Sequence, residues 1–118
     1  MNYDPNNVFA KILRGEIPCN KVYEDEHVLA FHDLHPKRKV HVLILPKGPY
    51  ADIRQFGEQA SDAEMAALFR SIPKIAAILG IKEDGFRLIA NTDTHGGQEV
   101  PHLHFHILGG EVVGKMVA

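Results

Sequence analysis

His102-Leu103-His104-Phe105-His106-Ile107-Leu108 sets a histidine at every second position. Side chains on a β-strand alternate between faces, so this spacing predicts one strand, His102 to Leu108. Its three imidazoles would stand in a row on one face, roughly 7 Å apart. Leu103, Phe105 and Ile107 would point the other way, into a core. Three neutral imidazoles in a row suit two tasks. They can bind a transition metal, or they can attack and protonate an anionic substrate near neutral pH, where histidine titrates.

The segment just upstream favours the anion. His95-Gly96-Gly97-Gln98 is a glycine-containing loop, and glycine lets the backbone bend so that successive N–H groups converge on one point. Gln98 offers an amide donor, and Asn91, at the end of the preceding strand, offers another. A metal site would call for carboxylates or thiolates. Donors around a row of histidines describe a phosphate pocket.

Working outward, Phe86 to Asn91 reads as a strand joined to the histidine strand by the loop Thr92 to Pro101. Further upstream, Val40, Val42 and Ile44 alternate with His41, Leu43 and Leu45. Both faces of a strand Val40 to Pro46 are therefore apolar, which makes it central and places His41 in partial burial. Lys21 to Glu24 and His27 to Leu34 read as a hairpin around the acidic turn Glu24-Asp25-Glu26. Val8, Phe9, Ile12 and Leu13 recur at helical spacing in Asn7 to Arg14, with Gly15 as the stop. Ser61-Asp62-Ala63-Glu64 is a capping box opening a long helix that ends before Gly80. Pro73 removes one backbone bond inside it, predicting a kink or break near Ser71. The order is helix, three strands, helix, two strands: an α+β domain with an antiparallel sheet.

A chain of 118 residues fits one compact domain, taken here as residues 1–118. Apolar residues at 45% and charged residues at 24% match an ordinary globular protein. Thirteen Lys and Arg against fifteen Asp and Glu give a formal charge of -2, which provides no bulk basic field for polymeric nucleic acid. Lys37-Arg38-Lys39 is read as a solvated loop. Cys19 is the single cysteine, so no intramolecular disulfide and no paired-cysteine metal knuckle can form. The first residues carry no basic and apolar leader pattern, and no long apolar run is present. The expectation is a cytoplasmic protein without a membrane span.

Taken together, Asn91, Gly96-Gly97-Gln98-Glu99-Val100 and the alternating histidines resemble the histidine triad (HIT) superfamily. The resemblance extends to Val8-Phe9-Ala10-Lys11-Ile12 with Gly15-Glu16-Ile17-Pro18, to Ala30-Phe31-His32-Asp33-Leu34, and to His41-Val42-Leu43-Ile44-Leu45-Pro46-Lys47. These stretches are similar to the Hint branch, the histidine triad nucleotide-binding proteins, and span Val8 to Gly110. The resemblance implies a five-stranded antiparallel sheet with two helices, extended across a homodimer. It also implies hydrolysis of purine nucleoside phosphoramidates such as adenylyl amines, with no cofactor and no metal.

Carried onto this chain, the resemblance makes His104 the nucleophile that forms a nucleotidyl-histidine intermediate. His106 would bond the phosphate and assist proton transfer. His102 would orient the nucleophile mainly through its backbone carbonyl, and His41 would support the cluster. Asn91, Gly97, Gln98, Glu99 and Val100 would surround the phosphate. Asp33 would accept from both ribose hydroxyls, or else cap a turn before Pro36. The base would lie among Phe9, Ile12, Phe31, His32 and Leu34, several of which plain core packing also explains.

Two departures from the family pattern bear on specificity. Glu99 stands where some members of the branch carry a serine that touches the leaving group, and the tail Glu111 to Ala118 is short and lacks tryptophan. Dinucleoside polyphosphate hydrolysis or nucleotidyl transfer would use the same nucleophile. A nucleotide-binding or interaction module with incidental turnover is the reading from a different class.

Overall fold

The computed structural model describes residues 1–116. Asn7 opens the first helix, α1 (Val8–Leu13), its side chain accepting from the Ala10 N–H. The helix closes at Arg14, and Gly15 follows at a φ of 77°, the left-handed conformation in which helices commonly end. Strands β1 (Lys21–Glu24) and β2 (Val28–His32) form the expected hairpin. Asp25 holds its turn by accepting from the N–H groups of His27 and Val28.

Beyond β3 (Val40–Pro46) lie α2 (Ile53–Gln59), α3 (Asp62–Ile78), β4 (Arg87–Ala90), α4 (Asp93–Gly96) and β5 (Phe105–Gly109). The two helices expected from sequence, α1 and α3, are joined by two short ones, α2 and α4. The capping box at Ser61 and Glu64 is complete. Of the kink or break expected near Ser71, the break does not occur: α3 runs unbroken through Pro73. Pro73 and Phe69 both face solvent, so water can serve the Phe69 carbonyl that proline leaves without an N–H partner.

The sheet has the order β1-β2-β3-β5-β4, with every neighbouring pair antiparallel. One face packs on α3: Val28, Ala30, Val42, Ile44, Leu103, Phe105 and Ile107 meet Leu68, Ile72, Ile75 and Ala76 in the main core. On the other face, Leu29, Phe31, Leu43 and Leu45 pack with Phe9 of α1. Leu103, Phe105 and Ile107 thus turn into the core as their alternation predicts. Among the described residues no helix is long and apolar enough to cross a membrane.

Candidate active site

The histidines do not share one strand. β5 begins at Phe105, so His106 alone of the three lies within it. His102 sits in a bend and donates its N–H to the Val100 carbonyl, while Leu103 donates to Tyr50. The ladder to β3 starts only at the pair Ile44 and Phe105. Beyond that point β3 presents Pro46, which has no N–H, and its carbonyl bonds the His102 ring instead. The ring centroids of His104 and His106 are 5.2 Å apart, closer than the row expected from an ideal strand.

Register explains how His41 joins them. Opposite Leu43 on β3 stands His106, and opposite His41 stands Leu108. Residues offset by two on one sheet face are diagonal neighbours within reach of aromatic rings. His41 Nε2 accordingly lies 2.9 Å from His106 Nδ1.

The hydrogen bonds assign each ring its tautomer. A carbonyl oxygen only accepts and an amide N–H only donates. His104 Nδ1 is 2.7 Å from the His102 carbonyl, so it carries the hydrogen and Nε2 keeps its lone pair. Lys37 donates its N–H to His41 Nδ1 at 3.0 Å, so His41 Nε2–H donates onward to His106 Nδ1. That leaves the hydrogen of His106 on Nε2. His102 Nε2–H donates to the Pro46 carbonyl at 2.8 Å, and its Nδ1 accepts from the Tyr3 hydroxyl, also at 2.8 Å. One histidine thus offers a nitrogen lone pair, and its neighbour offers an N–H.

Burial lowers the pKa of all four rings and so favours their neutral forms. His102 is held down at about 4, chiefly by desolvation. His106 is also lowered to about 4, by burial first and then by His104 and His41 beside it. Burial lowers His104 as well, opposed by the His102 carbonyl and by Asp33 and Glu99. For His41, burial outweighs the opposing pull of Asp33.

The rings of His41, His104 and His106 open onto a cavity of about 520 Å³. Phe9, Asp33, His41, His104 and His106 line it, as do Asn91, Gly97, Glu99 and Val100. Phe9 meets the His104 ring edge-on at 4.8 Å. His102 lies behind the wall, fully buried. Phe31 and Ile12 stand one layer back, packed around Phe9. His32 and Leu34 are exposed and not part of the lining, Leu34 at 85%.

The loop donors differ from those expected. Gln98 does not give its amide to the cavity: Nε2 donates to the carbonyls of Ala51 and Val100, and Oε1 accepts from the Asp93 N–H. The N–H groups of Gly97 and Gln98 bond to Thr94 and Asp93 within the turn. Gly97, at a φ of 73°, closes α4 in the left-handed conformation. The backbone N–H groups of Glu99 and Val100 have no partner among the described residues, and neither has the Asn91 side chain. The glycines therefore shape the loop, and the residues after them supply its open donors.

Asp33, His41 and His106 each bring one metal-ligating atom within 4.8 Å of the others. The tautomers suit a cation poorly, because the Lys37 N–H occupies His41 Nδ1 and puts a hydrogen on the very nitrogen that would ligate. His35, Lys37, Leu43, Ile89 and Leu108 complete the cavity wall without having been singled out from sequence. Face parity with His41 and His106 would have found Leu43 and Leu108. Tyr3 carried no signal, since its contact with His102 spans 99 positions.

The HIT domain model matches residues 14–113. An uncharacterized 13.2 kDa HIT-like protein of Azospirillum brasilense is 51% identical over 115 residues, covering 98% of this chain and 94% of that protein. The purine nucleoside phosphoramidase of Escherichia coli K12 is 43% identical over 111 residues, covering 94% of this chain and 92% of that one. Among solved structures, a histidine triad protein from Clostridium difficile superposes with a TM-score of 0.84 at 42% identity, over 98% of both chains. The domain match over residues 14–113, these relatives and the shared fold agree: the chain belongs to the HIT domain family.

Proposed function

We propose that this protein hydrolyses the P–N bond of purine nucleoside phosphoramidates through a nucleotidyl-histidine intermediate, the whole chain acting as one HIT domain. The observation that carries the reading is the pairing of a free lone pair on His104 Nε2 with a free N–H on His106 Nε2, on the wall of one cavity. The phosphoramidase name of the Escherichia coli relative, 43% identical, supports the choice of bond.

In the first step His104 Nε2 attacks phosphorus, the P–N bond of the substrate breaks, and the amine leaves with a proton. His106 Nε2–H bonds a phosphoryl oxygen and assists that proton transfer. As His104 becomes positively charged, the His102 carbonyl on its Nδ1–H stabilises it. The second step cleaves the P–N bond to His104 with water, releasing the nucleoside monophosphate and restoring the neutral imidazole. Asn91 and the N–H groups of Glu99 and Val100 hold the non-bridging oxygens. Asp33 accepts from the ribose, and Phe9, backed by Ile12 and Phe31, packs on the base. Glu99, exposed at the rim, favours cationic amine leaving groups. A second copy adding its sheet at an edge strand completes the reading, in a cytoplasmic setting.

Lys37 and His35 on the cavity wall favour one alternative, since a cation there suits a further phosphate in a dinucleoside polyphosphate. The decisive assay is AMP release from an adenylyl amine with chelator present, comparing wild type with His104→Ala. We expect release by wild type, and loss in the variant by at least about a thousandfold, with AMP binding retained. Turnover surviving in His104→Ala would remove it from the nucleophile role, and activity on polyphosphates alone would shift the substrate class.

A further inference from the structure

We propose that Tyr3 is a positioning residue for His104, acting through the imidazole of His102; the proposal rests on the phosphoramidate reading above. The first residues of the chain lie against α2, where Gln55 Nε2 donates to the Met1 carbonyl at 2.6 Å. Two residues on, the Tyr3 ring meets the His102 ring edge-on with centroids 5.5 Å apart. Its hydroxyl donates to His102 Nδ1 at 2.8 Å.

His102 is fully buried, so its ring nitrogens depend on what the protein offers them. Those offers are the Pro46 carbonyl on Nε2 and the Tyr3 hydroxyl on Nδ1. Take the hydroxyl away and Nδ1 keeps a lone pair in a dry site with no donor. The ring relieves that by turning or by shifting its hydrogen to Nδ1, and either change breaks the bond to Pro46. The same residue supplies the carbonyl that accepts from His104 Nδ1–H at 2.7 Å. Movement of its ring therefore reaches the peptide group that keeps the lone pair of His104 on Nε2. Tyr3 touches no reacting atom. It acts one residue removed from the nucleophile, across 99 positions of sequence.

Tyr3→Phe in the full chain removes the hydroxyl and keeps the ring, so packing is preserved. With an adenylyl-amine substrate, kcat should fall about tenfold, the value of one lost hydrogen bond, while KM changes by less than about twofold. Imidazole nitrogen NMR of the same variant should show His102 Nδ1 moving away from a hydrogen-bonded acceptor. It should also show the Nδ1 proton of His104 exchanging faster with water. A packing role alone would leave both resonances in place. Unchanged kcat together with an unchanged His104 Nδ1 proton would overturn the proposal. Should wild type fail to turn over the substrate, the phosphoramidate reading falls and the NMR comparison alone decides Tyr3. An altered His104 Nδ1 proton then supports positioning, and an unaltered one refutes it.

Discussion

At Asp33 the Oδ1 atom accepts from the His35 N–H at 2.8 Å, while Oδ2 lies 3.5 Å from His41 Nε2. The turn-capping and ligand readings of this residue are therefore compatible, because each carboxylate oxygen has a second lone pair to offer. Replacing Asp33 by Ala should weaken AMP binding about ten- to a hundredfold, as expected for bonds to a charged acceptor, with little change for 2′,3′-dideoxy-AMP. Calorimetric titration of both ligands tests this; equal losses would assign Asp33 to the turn alone. How much single residues disclosed varies with how local their partners are. His104, His106 and Asp33, which all line the cavity, stand out in sequence because polar residues set in or beside an apolar stretch have few structural uses. Gln98 misleads because one of the two carbonyls that claim its amide belongs to Ala51, 47 positions away.

Among the elements, β1 and β3 match their expected bounds, β1 because an acidic turn delimits it and β3 because its apolar run is uninterrupted. The start of β5 does not. Alternation continues through His102 to His104, but periodicity reports an extended chain and not a ladder partner. α2 left no pattern to read: its seven residues include Gly57 and bury only Phe56. α3 is better marked by its capping box, and Glu64 does more there than cap. Its carboxylate also accepts from the Tyr50 hydroxyl at 2.8 Å, while the Tyr50 carbonyl takes the Leu103 N–H, also at 2.8 Å. The start of α3 is thus tied to the segment that carries His104. Ser61→Ala should cost about 1 kcal/mol in urea unfolding. Glu64→Ala should cost more, because it also strips Tyr50 of its acceptor; equal costs would show that the Tyr50 bond contributes nothing.

For the whole molecule, three buried histidines and the partly buried His106, all held toward the neutral form, make acid a destabilising agent. His102 and His106 titrate at about 4 in the folded chain, against an ordinary value of 6.5. Between those values the unfolded chain binds protons that the folded chain refuses, so stability is complete above about pH 6.5 and is lost as pH falls toward 4. Tm should therefore decline from pH 6.5 to 5, before most carboxylates protonate, and His106→Asn should flatten the decline. A Tm constant over that window would contradict the neutral cluster. The α+β class and the antiparallel sheet were readable because they follow from patterning along each segment. The cavity wall depends on which strands become neighbours, and no single segment carries that information. The Lys37 N–H and the carbonyls of His102 and Pro46 are main-chain groups, so the proton pattern of His41, His104 and His102 is written largely in the backbone. The side chain at position 37 can therefore change without rewriting it, whereas a proline there would erase its first letter in one step.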